Sequence, residues 1–252
     1  MNLLLIVGII IIILLVLALI FNFIKLALKT VGLIILIVLA IFVVFGVLTY
    51  FDATDFQETF GTSNNLYLLR DNEIVLAGFV MNNSQPEKVV FLEATILDDY
   101  QQKLQENDYE TVLGENYKLF IVEMSLFENS SIESFEVEDI TISKEYALAL
   151  LRSNTPLDSL AERVAAEKKT AKQAVLQQLN QNNITSDTIL KDQIFAIFMA
   201  NEFSEQKSIK NLIMNFKNSK MYVYPKKFLF GMIRLIPDKW IDNIVQIKEG
   251  EE

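Results

Sequence analysis

The chain has no cysteine and no histidine among its 252 residues. Without cysteine there are no disulfides, no thiolate nucleophile, no iron–sulfur ligation and no cysteine-type zinc site, although a secreted domain need not use disulfides. Without histidine the chain lacks the one side chain that titrates unperturbed near neutral pH, together with its metal chemistry. Any catalysis has to run on carboxylates, lysine, serine, threonine or tyrosine. A third absence is local: residues 1–51 contain no acidic residue and two basic ones, Lys25 and Lys29. All 32 acidic groups lie behind them against 20 of the 22 basic ones, so the net charge of −10 divides into +2 in front and −12 behind. Such a surplus repels phosphate and anionic lipid overall and disfavours nucleic acid as a partner.

The front piece consists of two apolar runs. Leu3 to Ile24 is 22 residues without a charge and Thr30 to Phe51 repeats the pattern, where a spanning helix needs about 20. A cleaved signal peptide would begin basic, hold an apolar core of about 7–15 residues and end at a small-x-small site; the first run has none of these features. In lipid the backbone of such a run satisfies its hydrogen bonds only as a helix. The expectation is a transmembrane helical hairpin over residues 1–51, turning around Lys25 and Lys29. Short loops rich in lysine stay on the cytoplasmic side, and the far end of the second run, YFDATDFQE, carries acids only. That predicts the N-terminus outside, the turn inside and everything after about residue 52 outside. No charged residue stands at mid-depth, where ion or proton paths need one, and Gly8, Gly32 and Gly46 form no GxxxG pair. The runs read as a plain anchor.

Behind the anchor the pattern is α+β. Residues 52–142 are β-rich: strands are expected at 66–70 and 74–80 across the tight turn Asp71-Asn72-Glu73, then at 89–97, 117–126 and 132–142. They make an antiparallel sheet of about five strands that needs a cover on one face. DDYQQKLQENDYE reads as a short helix or loop insertion, and the stretch from Thr54 to Asn65, with GTSNN, reads as a short flexible linker. Residues 143–252 turn helical and supply the cover within the same soluble domain. Ser143 is placed to cap KEYALALLR, and Thr155-Pro156-Leu157-Asp158 is a helix start with Pro at the first position. Leu157, Leu160, Val164, Ala171 and Val175 then form one apolar stripe to Leu179; further helices are expected near Ser186 and Ser204.

Several motifs carry possible chemistry. Ser204-Glu205-Gln206-Lys207 matches S-x-x-K, which puts a hydroxyl and an amine within one helical turn; the S-D-N and K-T-G motifs of the penicillin-binding enzymes are absent. Glu133, Glu136, Glu138 and Asp139, with Asp98-Asp99, could serve as a calcium site or an acid–base couple, but no D-x-[DN]-x-[DN]-G loop accompanies them. A solvated strand face explains them more simply. LAERVAAEKKTAKQAVLQQL, residues 160–179, resembles the helix-turn-helix of bacterial and archaeal transcription regulators. Leu160, Val164, Ala166 and Val175 fall in phase, Ala165 stands where the turn glycine is usual, and the recognition segment holds Lys168, Lys169 and Lys172 but no arginine. The resemblance implies DNA binding by a cytoplasmic domain. YPKKFLFGMIRLIPDKW sets Lys226, Lys227 and Arg234 beside bulky apolar residues and Trp240, which suits contact with a membrane surface; a buried terminal helix is the alternative. Asn82, Asn129 and Asn183 head Asn-x-Ser/Thr sequences, a pattern expected about twice by chance at this composition.

The function these features imply is that of a membrane-anchored extracytoplasmic binding or scaffold protein of the cell envelope. It would be no enzyme and would carry no cofactor or metal. Its partners would be the lipid bilayer and another envelope protein or a second copy of itself. The rivals are a membrane-tethered regulator using the helix-turn-helix-like segment in the cytoplasm, and a hydrolase built on Ser204 and Lys207 or on carboxylates.

Overall fold

The computed structural model describes residues 35–41, 43–52, 54–56, 58–82, 84–85, 88–130, 132–137, 140–202 and 208–233. The chain divides into two compact units, one ending at Phe51 and the other beginning at Asp52. In the first, the described residues are helical. Helix α1, Ile35–Phe60, is long and apolar enough to cross a membrane. Large apolar side chains are exposed along it from Ile35 to Phe51, among them Leu36, Leu39, Val43, Val44, Tyr50 and Phe51. A helix that is apolar on every side is stable in a bilayer or a large core and not in water. Among the described residues one helix meets this test; the other expected span, residues 3–24, and the turn with Lys25 and Lys29 lie outside them.

The second unit is a mixed α+β domain. Its elements run β1 (Asn64–Asp71), β2 (Ile74–Asn82), β3 (Val90–Phe91), α2 (Ala94–Gln105), α3 (Tyr109–Leu113), β4 (Lys118–Glu123), α4 (Ser125–Glu128), β5 (Ser134–Val137) and β6 (Ile140–Ser143). Then follow α5 (Lys144–Arg152), α6 (Pro156–Lys168), α7 (Lys172–Gln181), α8 (Asp187–Glu202), α9 (Ser208–Lys217), β7 (Met221–Tyr224) and α10 (Phe228–Ile233). The main sheet has five strands in the order β3-β2-β1-β4-β7, and β5 and β6 pair separately. Its ladders are antiparallel except at the centre, where β1 and β4 run parallel.

The expected meander is corrected in three places. The run 89–97 contributes a two-residue strand and then the start of α2; the run 132–142 forms the separate hairpin β5–β6; and the fifth strand comes from Met221–Tyr224, far along the chain. A parallel neighbour needs a crossover of a dozen residues or more, which β2, β3, α2 and α3 provide between β1 and β4. That crossover also overturns the one-sided cover. Leu66 and Leu68 of β1 with Leu119 and Ile121 of β4 face Leu97 of α2 and Val112 of α3. The alternate residues Tyr67, Leu69, Phe120 and Val122 belong to the larger core shared with the C-terminal helices. Successive side chains on a strand point to opposite faces, so a sheet covered on both sides buries β1 continuously from Asn65 to Leu69.

The helical half follows its start signals with two changes. The Ser143 hydroxyl accepts the Tyr146 N–H and caps α5 as expected. Pro156 opens α6, but the free Leu157 N–H goes to Asp187 Oδ1 at 2.9 Å rather than to Thr155. The stripe to Leu179 is not one helix: α6 stops at Lys169, whose φ of 51° is left-handed, and α7 resumes after Ala171. The expected linker is also helical up to Phe60. Phe56 stacks on Phe60 and meets Phe230 edge-on, while Phe60 meets Phe120.

The open side of β2 is closed mainly by side chains. Val75 N–H reaches Gln101 Oε1 at 2.5 Å, and Gln101 returns Nε2 to Glu73 O at 2.8 Å. Asp192 of α8 takes Gly78 N–H on Oδ1 at 2.8 Å and Leu92 N–H on Oδ2 at 3.1 Å. One carboxyl thus does the work of a strand where β3 is too short to continue. Position 78 has no room for a side chain, since a Cβ there would lie 2.6 Å from Leu68 Cδ2 and 2.7 Å from Leu92 Cδ1. Both leucines are themselves buried, so Gly78→Ala is expected to cost about 1–3 kcal/mol through overpacking. A urea midpoint equal to that of the parent protein would show that Leu92 can swing aside.

Candidate functional site

The strongest concentration of interacting ionisable groups gathers where β4 begins. Lys118 is its first residue and pairs in register with Asn65 of β1; both are 0% exposed. A lysine whose amine is shut away from water needs acceptors. Lys118 Nζ finds Pro225 O at 3.2 Å and otherwise faces rings, 4.8 Å from the centroid of Tyr117 and 5.7 Å from that of Phe230. Asn65 sends Nδ2 to Phe60 O at 3.1 Å and Ser63 O at 3.0 Å, and its buried Oδ1 meets no hydrogen-bond donor among the described residues. Beside them Tyr117 donates its hydroxyl to Asp55 Oδ2 at 2.7 Å, and Lys227 pairs with the same oxygen.

The field within this group is strongly perturbed. The bond from Lys227, then that from Tyr117, holds the Asp55 carboxyl below its usual range. Burial, then the Asp55 contact, pushes the Tyr117 hydroxyl well above the ordinary phenol value. Burial first and Lys227 second push Lys118 down to about 8. An amine near that value has a sizeable neutral fraction at physiological pH, the condition for lysine to act as base or nucleophile. Lys118 is closed off from solvent, however, so the arrangement works as a polar seam. It ties Asp55 to the head of β4 and to the segment around Pro225, with Phe56, Phe60 and Phe230 packed beside it.

Asp192 is a second fully buried ionisable group. Burial pushes its carboxyl up to about 8 against the two backbone N–H bonds and Lys191, which act in the opposite direction. Among the described residues no three acidic side chains come together as a metal site would require.

The residues singled out from the sequence fall as follows. Lys25, Lys29, Ser204, Lys207, Glu138, Asp139, Arg234 and Trp240 lie outside the described residues. Lys226 is exposed, and Lys227 is half-buried against Asp55. Phe230, from the same apolar segment, is 6% exposed and packs on Phe56 and Phe216, so this part belongs to the core. Glu133 and Glu136 are exposed while Val137 is buried, and Asp98 and Asp99 are exposed on α2. In the helix-turn-helix-like segment the turn stands at Lys169–Ala171, and the expected turn position, Ala165, is buried inside α6.

Sequence reasoning missed Asp55, Asn65, Tyr117, Lys118 and Asp192. One signal was available for Lys118, which stands alone as a charge at the head of the apolar run LFIV. No family model, no curated protein and no solved structure matches this chain.

Proposed function

We propose that the protein is a membrane-anchored, extracytoplasmic binding or scaffold protein of the cell envelope, without a reaction of its own. The observation that carries this reading is α1, whose apolar side chains from Ile35 to Phe51 are exposed on every side, an arrangement that lipid stabilises and water does not. In the full reading a second span precedes it, Lys25 and Lys29 stay inside, and the α+β domain stands outside. Its partners are the bilayer and another envelope protein or a second copy of the chain. The use of the most perturbed groups supports a non-catalytic role: Tyr117 donates to Asp55, Lys118 to the Pro225 carbonyl, and Asp192 binds backbone. Lys226 and Lys227, with Arg234 and Trp240, are the residues proposed to meet the membrane surface.

The missing cysteines make the topology directly testable. Thr30→Cys and Glu115→Cys, the latter at an exposed position, each supply the sole thiol of the chain. An impermeant maleimide applied to intact cells should label Glu115→Cys and leave Thr30→Cys unlabelled until the cells are opened. The reverse pattern would put the domain inside and overturn the reading.

A second reading is favoured by one observation: α6 and α7 do form two helices joined by the three residues Lys169–Ala171, with Lys169 left-handed at the end of α6, four residues beyond the expected turn position Ala165. A membrane-tethered regulator with a cytoplasmic domain would use such a pair on DNA. The reversed labelling pattern, joined to DNA retention that weakens steeply with salt, is the result this second reading requires.

A further inference from the structure

Three Asn-x-Ser/Thr sequences remain unused by the functions above, and the fold treats them differently. Asn82, at the end of β2, donates Nδ2 to Thr62 O at 2.8 Å. Its Oδ1 accepts the Ser84 N–H at 3.0 Å and the Ser84 hydroxyl at 2.7 Å, so the amide and hydroxyl of that sequence already bind each other. Asn129, at the end of α4, donates Nδ2 to Ser125 O at 2.9 Å.

Asn183 lies in the turn between α7 and α8. Its φ of 64° is left-handed, a conformation that asparagine tolerates better than most residues. Its N–H bonds to Asn180 O at 3.0 Å, and the next N–H, that of Ile184, bonds to Leu179 O at 2.9 Å. Ile184 is 1% exposed and anchors the turn in the core. The residues on either side of it, Asn183 and Thr185, are both exposed, and no side-chain hydrogen bond joins either of them to another described residue. The backbone is therefore held while the amide and the hydroxyl that define the acceptor sequence point away from the fold.

We propose that Asn183 is a site of N-linked glycosylation. The co-reactant is a lipid-linked oligosaccharide diphosphate. Asn183 Nδ2 attacks the anomeric carbon, the N–C bond forms, the C–O bond to the diphosphate breaks, and the lipid diphosphate leaves as the amide gives up one proton to base. A bulky, hydrated glycan costs the fold nothing at this turn. At Asn82 it would crowd the amide that Thr62 accepts.

This inference rests on the extracytoplasmic reading, because the transfer takes place on the far side of the membrane. The test is expression of the full chain, extended at its C-terminus by an Asn-Gly-Thr acceptor tag, in a secretory host that glycosylates, followed by N-glycosidase treatment and electrophoresis. Two glycans are expected, one on the tag and one on the chain. Asn183→Gln and, separately, Thr185→Ala should each leave one, while Asn82→Gln and Asn129→Gln leave two. A glycan on the tag alone, or a second glycan that survives both the Asn183 and Thr185 substitutions, overturns the assignment and leaves the topology standing. No glycan on either overturns the topology and the assignment with it.

Discussion

Raising the pH from 5 to 8 should weaken the folded domain by about 1.4 kcal/mol per pH unit, the linkage slope for one proton. The group responsible is Asp192. Its carboxyl is pushed up to about 8 by burial, from an ordinary value of 3.8. Between those two values the folded state holds a proton that the unfolded state has released. The stability contribution is therefore complete below pH 4, falls as pH rises, and is gone at about 8. Asp55 and Asp108, both lowered, act in the opposite sense but at more acid pH, which leaves the window from 5 to 8 to Asp192. Urea unfolding of the detergent-solubilised full chain, followed by circular dichroism, measures the slope. Asp192→Asn keeps a carbonyl acceptor and removes the titration, so its stability should be flat across the window. Asp192→Ala should lose about 1–3 kcal/mol at pH 5, because the Gly78 N–H is left buried without an acceptor while the Leu92 N–H keeps only its 3.2 Å bond to Gly78 O. Parallel slopes in the parent protein and Asp192→Asn would show that some other group titrates.

Lys118→Met is expected to stabilise the domain by about 3 kcal/mol at pH 6, the free-energy equivalent of the displacement from 10.5 to about 8. Here the sign is reversed, for a base. The folded state is short of a proton relative to the unfolded chain between 8 and 10.5, so the full cost of burying the ammonium is felt below pH 8 and is relieved as pH climbs to 10.5. Methionine fills similar volume, carries no charge, and keeps contact with Tyr117 and Phe230. Its advantage should therefore shrink between pH 8 and 10.5. If Lys118→Met is instead weaker than the parent at pH 6, the bond to Pro225 O and the two ring contacts outweigh desolvation. Together the two groups put the minimum of the stability profile near pH 8, where the Asp192 loss is complete and the Lys118 relief begins.

Both residues show why chemistry was harder to read from the chain than architecture. Asp192 stands in ILKDQIFAIF, and nothing in that string marks it as buried rather than solvated. Its role exists because α8 crosses β2 at Gly78, 114 residues away. Asp55, Tyr117 and Lys227 are scattered over 172 positions and meet only because β7 lies beside β4. By contrast Ser143, Pro156 and the turn at Asn72-Glu73 were legible, since capping, the fixed φ of proline and tight-turn geometry act within a few residues. The strand at 132–142 went astray for the same reason in reverse. Its alternation implies a single half-buried strand of the main sheet, and it does not reveal that the run pairs with itself as β5 and β6 in a separate sheet.

What the sequence determined by itself is therefore the local and compositional part: an acid-free apolar front, an acidic α+β domain behind it, helix starts, tight turns, and the exclusion of thiol and imidazole chemistry. These follow from side-chain type and from periodicities of two or 3.6 residues, which need no knowledge of distant neighbours. Tertiary structure alone decided the parallel pairing of β1 with β4, the covering of both sheet faces, the late arrival of β7 as fifth strand, and the burial of Lys118 and Asp192. Each depends on which segments meet across long stretches of chain. The free energy that selects those meetings is the burial of Tyr67, Phe79, Phe120, Phe195 and their neighbours in one core, a property of the assembled surface that no single segment carries.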